Sequence, residues 1–122
     1  MLEHYLDTVH SILYVHPTSS LEEEDFIQLA ATVDPYIGKT GVLAGIIIES
    51  PTFPGWKTFG AIVSHFRFMR DHHKHVRKIA LVTDSALGNV AEHLASHFVA
   101  AEIRQFPSGE IETAKQWIIS SL

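Results

Sequence analysis

Val42-Leu43-Ala44-Gly45-Ile46-Ile47-Ile48-Glu49-Ser50 is an apolar run closed by polar residues, and Lys78-Ile79-Ala80-Leu81-Val82-Thr83-Asp84 has the same build. Runs this short and this rich in branched side chains read as strands buried on both faces. Between them lie a loop, Pro51-Thr52-Phe53-Pro54-Gly55, and an amphipathic segment from Trp56 to about His73. A strand, a helix-length connection and a second strand make a βαβ unit, with parallel strands and a right-handed crossover. The rest of the chain hangs on that unit.

Upstream, Leu2 to Leu6 and Ser11 to His16 read as a hairpin around Asp7-Thr8. His10, Ile12, Tyr14 and His16 alternate with Leu13 and Val15, the period of a strand, and Pro17 ends it. Ser20 with Glu23, or Ser19 with Glu22, supplies a capping-box pattern, and the acids from Glu22 to Asp25 fall where a helix dipole favours them. Phe26, Leu29, Ala30, Val33 and Ile37 form the stripe of that helix, which Pro35 and Gly38 are expected to end. In the central helix Trp56, Phe59, Ile62, Val63, Phe66 and Met69 mark the buried face, with Phe68 to one side. Downstream, Asp84 or Ser85 is placed to cap a helix with the stripe Leu87, Val90, Ala91, Leu94 and Phe98. Glu102 to Phe106 reads as an edge strand and Pro107-Ser108-Gly109 as a turn. Glu110 to Leu122 then makes a last helix, with Ile111, Ala114, Ile118 and Leu122 inward. The expected architecture is one α/β domain over residues 1–122, in the order ββαβαβαβα: a mixed, mostly parallel five-stranded sheet with four helices.

Composition narrows the function. No apolar run reaches the length of a membrane span, and Met1-Leu2-Glu3-His4 does not begin a basic-then-apolar secretory signal. With no cysteine, disulfides, thiolate catalysis and zinc–cysteine sites are excluded, and a cytoplasmic setting is expected. A net charge of −5 argues against a nucleic-acid binder, but it hides an asymmetry. Six of the nine Lys and Arg residues, Lys57, Arg67, Arg70, Lys74, Arg77 and Lys78, share one segment with a single acid, Asp71. The molecule is expected to carry a basic pole on an acidic body.

Ligands of parallel sheets favour the crevice beyond the carboxyl ends of the strands. Two such ends, Glu49-Ser50 and Thr83-Asp84-Ser85, belong to neighbouring strands, with the Phe53-to-Trp56 turn above and Lys57 and Asn89 nearby. The functional reading is a small contact surface with Phe53 and Trp56 as apolar anchors. The plainer one is a core tryptophan and an aspartate that caps a helix. His72-His73-Lys74-His75 invites a metal, yet Asp71 is its lone neighbouring carboxylate and no set of three or four converging donors is completed. Read plainly, those cations sit at a helix C-terminus. Basic residues beside Trp56, Phe59, Phe66 and Phe68 also suit an anionic lipid surface, against the alternative of a solvated helix face. No nucleophile elbow, phosphate loop or dinucleotide fingerprint is present, and Glu49 with Asp84 is the one carboxylate pair positioned for acid–base work. No cofactor and no metal are expected.

The chain resembles the SpoIIAA-like family, small bacterial proteins related to STAS domains. The resemblance covers nearly the whole chain. It rests on the element order, the Phe53-Pro54-Gly55-Trp56 turn and the Phe66-x-Phe68…His72-His73 helix end. Arg77 to Ser85 and Ile103-Arg104-Gln105-Phe106…Ala114-x-x-Trp117-Ile118 match as well. It implies a STAS-type fold with four helices, similar to a miniature CRAL-TRIO lipid-binding fold, and no established enzymatic activity. STAS domains act as anti-sigma-factor antagonists or transporter regulators, switched by a phosphorylatable Ser or Thr before the helix after strand three. Here that stretch reads Pro54-Gly55-Trp56-Lys57-Thr58 and departs from the Asp-Ser-x-Gly pattern; Thr58, the nearest hydroxyl, falls in the expected first turn. A tryptophan common after the strand-four aspartate is replaced by Leu87-Gly88.

The expected function is a non-enzymatic cytoplasmic binding domain, peripheral at the inner membrane face, that meets a lipid-like ligand or an anionic membrane surface. Contact is assigned to Ser50, Phe53, Trp56, Lys57, Phe59, Asp84, Ser85 and Asn89, with Arg67, Arg70 and Lys74 as the basic pole. The alternative is a STAS-like regulator of a protein partner, with or without phosphorylation at Thr58 or Ser50. A third reading is a small hydrolase using Glu49 and Asp84. A homodimer is expected through Phe68 and Trp117, which lie off the main stripes.

Overall fold

The computed structural model describes residues 1–50, 57–84 and 100–120, with the side chains of Phe59 and Ile62 excepted. Strands β1 (Leu2–Asp7), β2 (Ile12–Pro17), β3 (Leu43–Glu49), β4 (Val76–Val82) and β5 (Glu102–Phe106) form one sheet in the order β1-β2-β3-β4-β5. β1 and β2 are antiparallel; β2 to β5 run parallel. The β3–β4 pair is the parallel unit expected from the two apolar runs, with Ile46 opposite Ile79 and Glu49 opposite Val82. β4 begins at Val76, two residues earlier than its apolar run, because Leu43 pairs with Val76.

At the hairpin turn the Asp7 carboxylate accepts the Val9 and His10 N–H groups at 3.0 and 3.2 Å and meets His10 Nδ1 at 2.8 Å. The hydrogen bond from His10 holds that carboxyl below its ordinary range. Ser11 takes the left-handed region (φ 59°), and its carbonyl accepts from both Ala44 and Gly45, joining the turn to β3.

Helix α1 (Glu23–Thr40) connects β2 to β3, and α2 (Phe59–His72) connects β3 to β4. Phe26, Leu29 and Val33 of α1 join Leu13, Val15, Leu43, Ile46 and Val76 in one core, against which Phe68 of α2 packs. Helix α3 (Ile111–Ile119) closes the second core, with Ala114 and Ile118 on Ile12, Ala44, Ile47, Ala80 and Val82. Three α-helices, not four, are present among the described residues; the expected stripe from Leu87 to Phe98 lies outside them.

Several local expectations are corrected. The capping box of α1 is formed by Glu22 and Asp25, the Glu22 N–H donating to Asp25 Oδ2 at 2.8 Å. Ser19 and Ser20 instead accept from the Met1 amine, and burial of Leu21 sets the start of the helix. Neither Pro35 nor Gly38 ends α1. It continues to Thr40 because Tyr36 and Ile37 still pack on the core, and Gly41 (φ 88°) caps it, its N–H donating to the Ile37 carbonyl at 2.7 Å. Helix α2 starts at Phe59 rather than Trp56, since the Thr58 hydroxyl accepts the Ala61 N–H at 3.1 Å and caps it.

The buried face of α2 is also rotated from the expected stripe. Ala61, His65, Phe68 and His72 face inward, while Val63 (38% exposed) and Phe66 (60%) face out. Phe68 is half-buried, 6.4 Å from the Phe26 ring and stacked on His72 at 4.0 Å. Trp117 is half-buried against Phe106 at 5.7 Å, with Lys78 Nζ 4.5 Å over its ring. Both aromatics are half-buried rather than exposed.

Candidate binding site

The carboxyl ends of the parallel strands meet as expected. The Ser50 N–H donates to the Val82 carbonyl at 3.1 Å, and the Thr83 N–H to Phe106 at 2.9 Å, so Ser50 and Thr83 are both buried. Gln105 Nε2 donates to the Thr83 carbonyl at 2.9 Å. Asp84 is exposed and accepts the Ser108 N–H at 3.0 Å, which ties the β5–α3 turn to the end of β4. The Ser108 hydroxyl beside it is buried and has no hydrogen-bond partner among the described residues. Glu49 is turned toward His16, whose Nδ1 lies 2.9 Å from the Glu49 carbonyl and 3.6 Å from Oε1. Of the assigned contact residues, Ser50 and Asp84 therefore flank one edge. Phe53, Trp56, Ser85 and Asn89 lie outside the described residues, as does the side chain of Phe59.

Lys57 lies exposed at the junction of α1 and α2. Its N–H donates to the Leu21 carbonyl at 2.8 Å and its ammonium pairs with Glu22 at 2.8 Å, which raises its pKa. That pair joins the start of α2 to α1. The carboxylate of Glu23 lies against Gly60 in the first turn of α2, where a Cβ would collide with it. The start of α2 is thus flanked by acids of α1, the charge a helix N-terminus favours.

Further along, the two helices run side by side. The His65 ring stacks on Phe26 at 4.9 Å, and burial pushes its pKa down to about 4, so the ring is neutral. His72 Nδ1 donates to the Phe68 carbonyl at 2.7 Å, and Nε2 meets Asp34 of α1 at 2.5 Å. His73 Nδ1 accepts the Ala100 N–H at 2.9 Å. The histidine run is therefore divided among separate structural bonds, and no group of three metal-binding side chains occurs among the described residues.

The basic pole survives in reduced form. Lys78 is folded onto α3, donating to the Trp117 carbonyl at 3.0 Å. Arg67, Arg70 and Lys74 are exposed, as is Arg77, and Arg70 Nε donates to Asp71 at 2.9 Å. That bond holds the Asp71 carboxyl below its ordinary range. Val63, Phe66, Arg67, Arg70 and Lys74 fall at helical spacing on the outward side of α2 and its 3-10 extension (His73–His75). Sequence reasoning assigned Val63 and Phe66 to the core. The signal available was the width of the apolar arc, which exceeds what one buried side of a helix can cover.

No helix among the described residues is long and apolar enough to cross a membrane. The sequence model of the family described as SpoIIAA-like matches residues 12–119. An uncharacterised protein of the DUF3478 family from Shewanella loihica PV-4, with a SpoIIAA-like fold, is similar in structure. The TM-score is 0.77 at 17% identity, over 96% of this chain and 93% of that one. No curated protein matches the chain.

Proposed function

The chain belongs to the SpoIIAA-like family, and from that premise we propose a non-enzymatic binding domain that meets a lipid-like ligand or the anionic membrane surface. Family and fold support a regulatory domain in general. The finer reading is carried by one observation, the outward ridge of α2, where Val63 and Phe66 are exposed beside Arg67, Arg70 and Lys74. Apolar side chains enter the headgroup boundary while cations beside them gain from anionic lipid, roughly 1 kcal/mol each near such a surface. The domain then acts peripherally, at the inner membrane face, and the strand-end edge at Ser50, Asp84 and Ser108 supplies a second contact.

Vesicle co-sedimentation tests this with neutral and with anionic liposomes. Binding is expected on anionic vesicles alone, and it weakens in Phe66→Ser and in the Arg67→Glu/Arg70→Glu double variant. Binding to neither vesicle, or equal binding by the double variant, removes the membrane reading.

A STAS-like regulator of a protein partner is the second reading, and the position of Thr58 favours it. The exposed hydroxyl stands at the N-cap of α2 rather than inside its first turn. Ser50 is buried, which leaves Thr58 as the acceptor within reach of a kinase. A phosphate there would face Glu22, Glu23 and Glu24, which line the same depression, and would loosen α1 from α2. A kinase-dependent mass shift that Thr58→Ala abolishes supports this reading; no shift with cognate kinases present counts against it.

A further inference from the structure

We infer that the outer edge of β1 is a self-association site, where two copies of the chain pair β1 with β1 antiparallel and extend the sheet across a twofold axis. This is independent of the membrane reading. The Thr18 N–H donates to the Met1 carbonyl at 2.9 Å, and bonded and non-bonded pairs alternate along an antiparallel ladder. Glu3, Tyr5 and Asp7 therefore exchange bonds with His16, Tyr14 and Ile12, and the backbone of Leu2, His4 and Leu6 points away from β2. The Leu2 N–H, facing that way, is taken by Asp25 Oδ1 at 3.2 Å. The N–H groups of His4 and Leu6 and the carbonyls of Leu2, His4 and Leu6 have no partner among the described residues.

An unpaired edge is a template for another strand, and proteins usually blunt it with lysine, proline or opposed charge. β1 contains neither lysine nor proline. The other edge, β5, is guarded: Glu102 and Arg104 are exposed, and self-pairing centred on Arg104 would set guanidinium against guanidinium.

The register at β1 selects a second copy as the occupant. Centring the twofold on His4 pairs Leu2 with Leu6 of the second copy, His4 with its counterpart, and Leu6 with Leu2. In that register His4 exchanges bonds with its counterpart and the Leu6 N–H meets the Leu2 carbonyl of the second copy, while the Leu2 N–H stays with Asp25. In the same register Glu3 lies opposite Tyr5, not opposite an acid. Asp7, at the end, is already held by His10. Tyr5 (65% exposed) and Met1 (62%) are among the most exposed large apolar side chains described, and both lie on this edge. Association covers them, which gives the pairing an apolar contribution beside its backbone bonds.

The test is the mass of the full chain by light scattering over a range of concentrations, with substitutions that read the register. The wild type is expected to approach twice 13.6 kDa as concentration rises. Tyr5→Glu places a carboxylate opposite Glu3 twice per dimer and should weaken association roughly tenfold. Tyr5→Lys, opposite the same Glu3, should keep the dimer. His4→Pro removes an outward N–H that β2 does not use and should give a monomer with an unchanged circular dichroism spectrum. If His4→Pro does not fold, the Tyr5 pair decides alone. Phe66→Ser, on the far side of the helical layer, should leave the dimer intact. A monomeric wild type at its highest soluble concentration overturns the proposal. So does a dimer that Tyr5→Glu leaves unchanged, an equal effect of Tyr5→Glu and Tyr5→Lys, or a dimer lost on Phe66→Ser.

Discussion

The two faces of the sheet bury similar aliphatic side chains but are closed by different physics. Under α3 the contact is apolar and tight. Ile118 is fully buried, and a Cβ added at Gly45 would lie 2.6–2.9 Å from three of its side-chain atoms, so β3 needs glycine for the helix to seat. Under α1 and α2 the helices are joined to one another through titratable groups: Lys57 on Glu22, His65 on Phe26 and His72 on Asp34. One face should answer to changes in volume and the other to changes in protonation.

The largest effect is expected at the α3 face. Ile118→Ala should cost roughly 2–5 kcal/mol in chemical denaturation, through lost burial and the cavity left behind. Gly45→Ala, which overfills the same contact, should cost roughly 1–3 kcal/mol. Combining Gly45→Ala with Ile118→Val should recover part of that loss. Additive costs would mean that the two positions do not share one contact.

On the α1–α2 face the expected effect depends on pH. The pKa of His65 is pushed down from 6.5 to about 4 by burial, so the folded state favours the neutral ring. A base with a lowered folded pKa contributes stability that is whole above its ordinary pKa and is lost as pH falls from about 6.5 toward 4. The loss is on the order of 3 kcal/mol. His65→Phe, which keeps the stack on Phe26, should flatten that part of the stability curve, while Ile118→Ala should lower it equally at every pH. A wild-type curve with no fall in this window would show that His65 is protonated in the fold.

The smallest effect is at the junction of the two helices. Thr58→Ala removes the cap of α2 and should cost about 1 kcal/mol in thermal or chemical unfolding, whereas Thr58→Asn, a neutral acceptor, should retain it. Equal losses from both would mean that the hydroxyl is needed for something other than its acceptor.

Much of the candidate site was legible, though unevenly. The convergence of Ser50 with Thr83 and Asp84 follows from two parallel strands being neighbours, which their length and composition announce. The pole of Arg67, Arg70 and Lys74 is visible as a count of charges. The fate of Lys57 and Lys78 was not, because each finds its partner, Glu22 or the Trp117 carbonyl, far away in sequence. Ser108 was missed because a serine in a turn gives no sign that its hydroxyl will be buried.

The amino-acid sequence by itself determined the strands, their alternation and the family, since apolar period and strand length are local properties that any compact packing must satisfy. Tertiary structure alone decided where α1 stops and which way α2 faces. Pro35 weakens a helix locally but does not end one whose next turn still buries Tyr36 and Ile37. On α2 apolar side chains occur almost all round, so its rotation was decided by what α1 offered: Phe26 for His65, Asp34 for His72 and an acidic first turn for Lys57. Those contacts drew two histidines inward and left Phe66 outside.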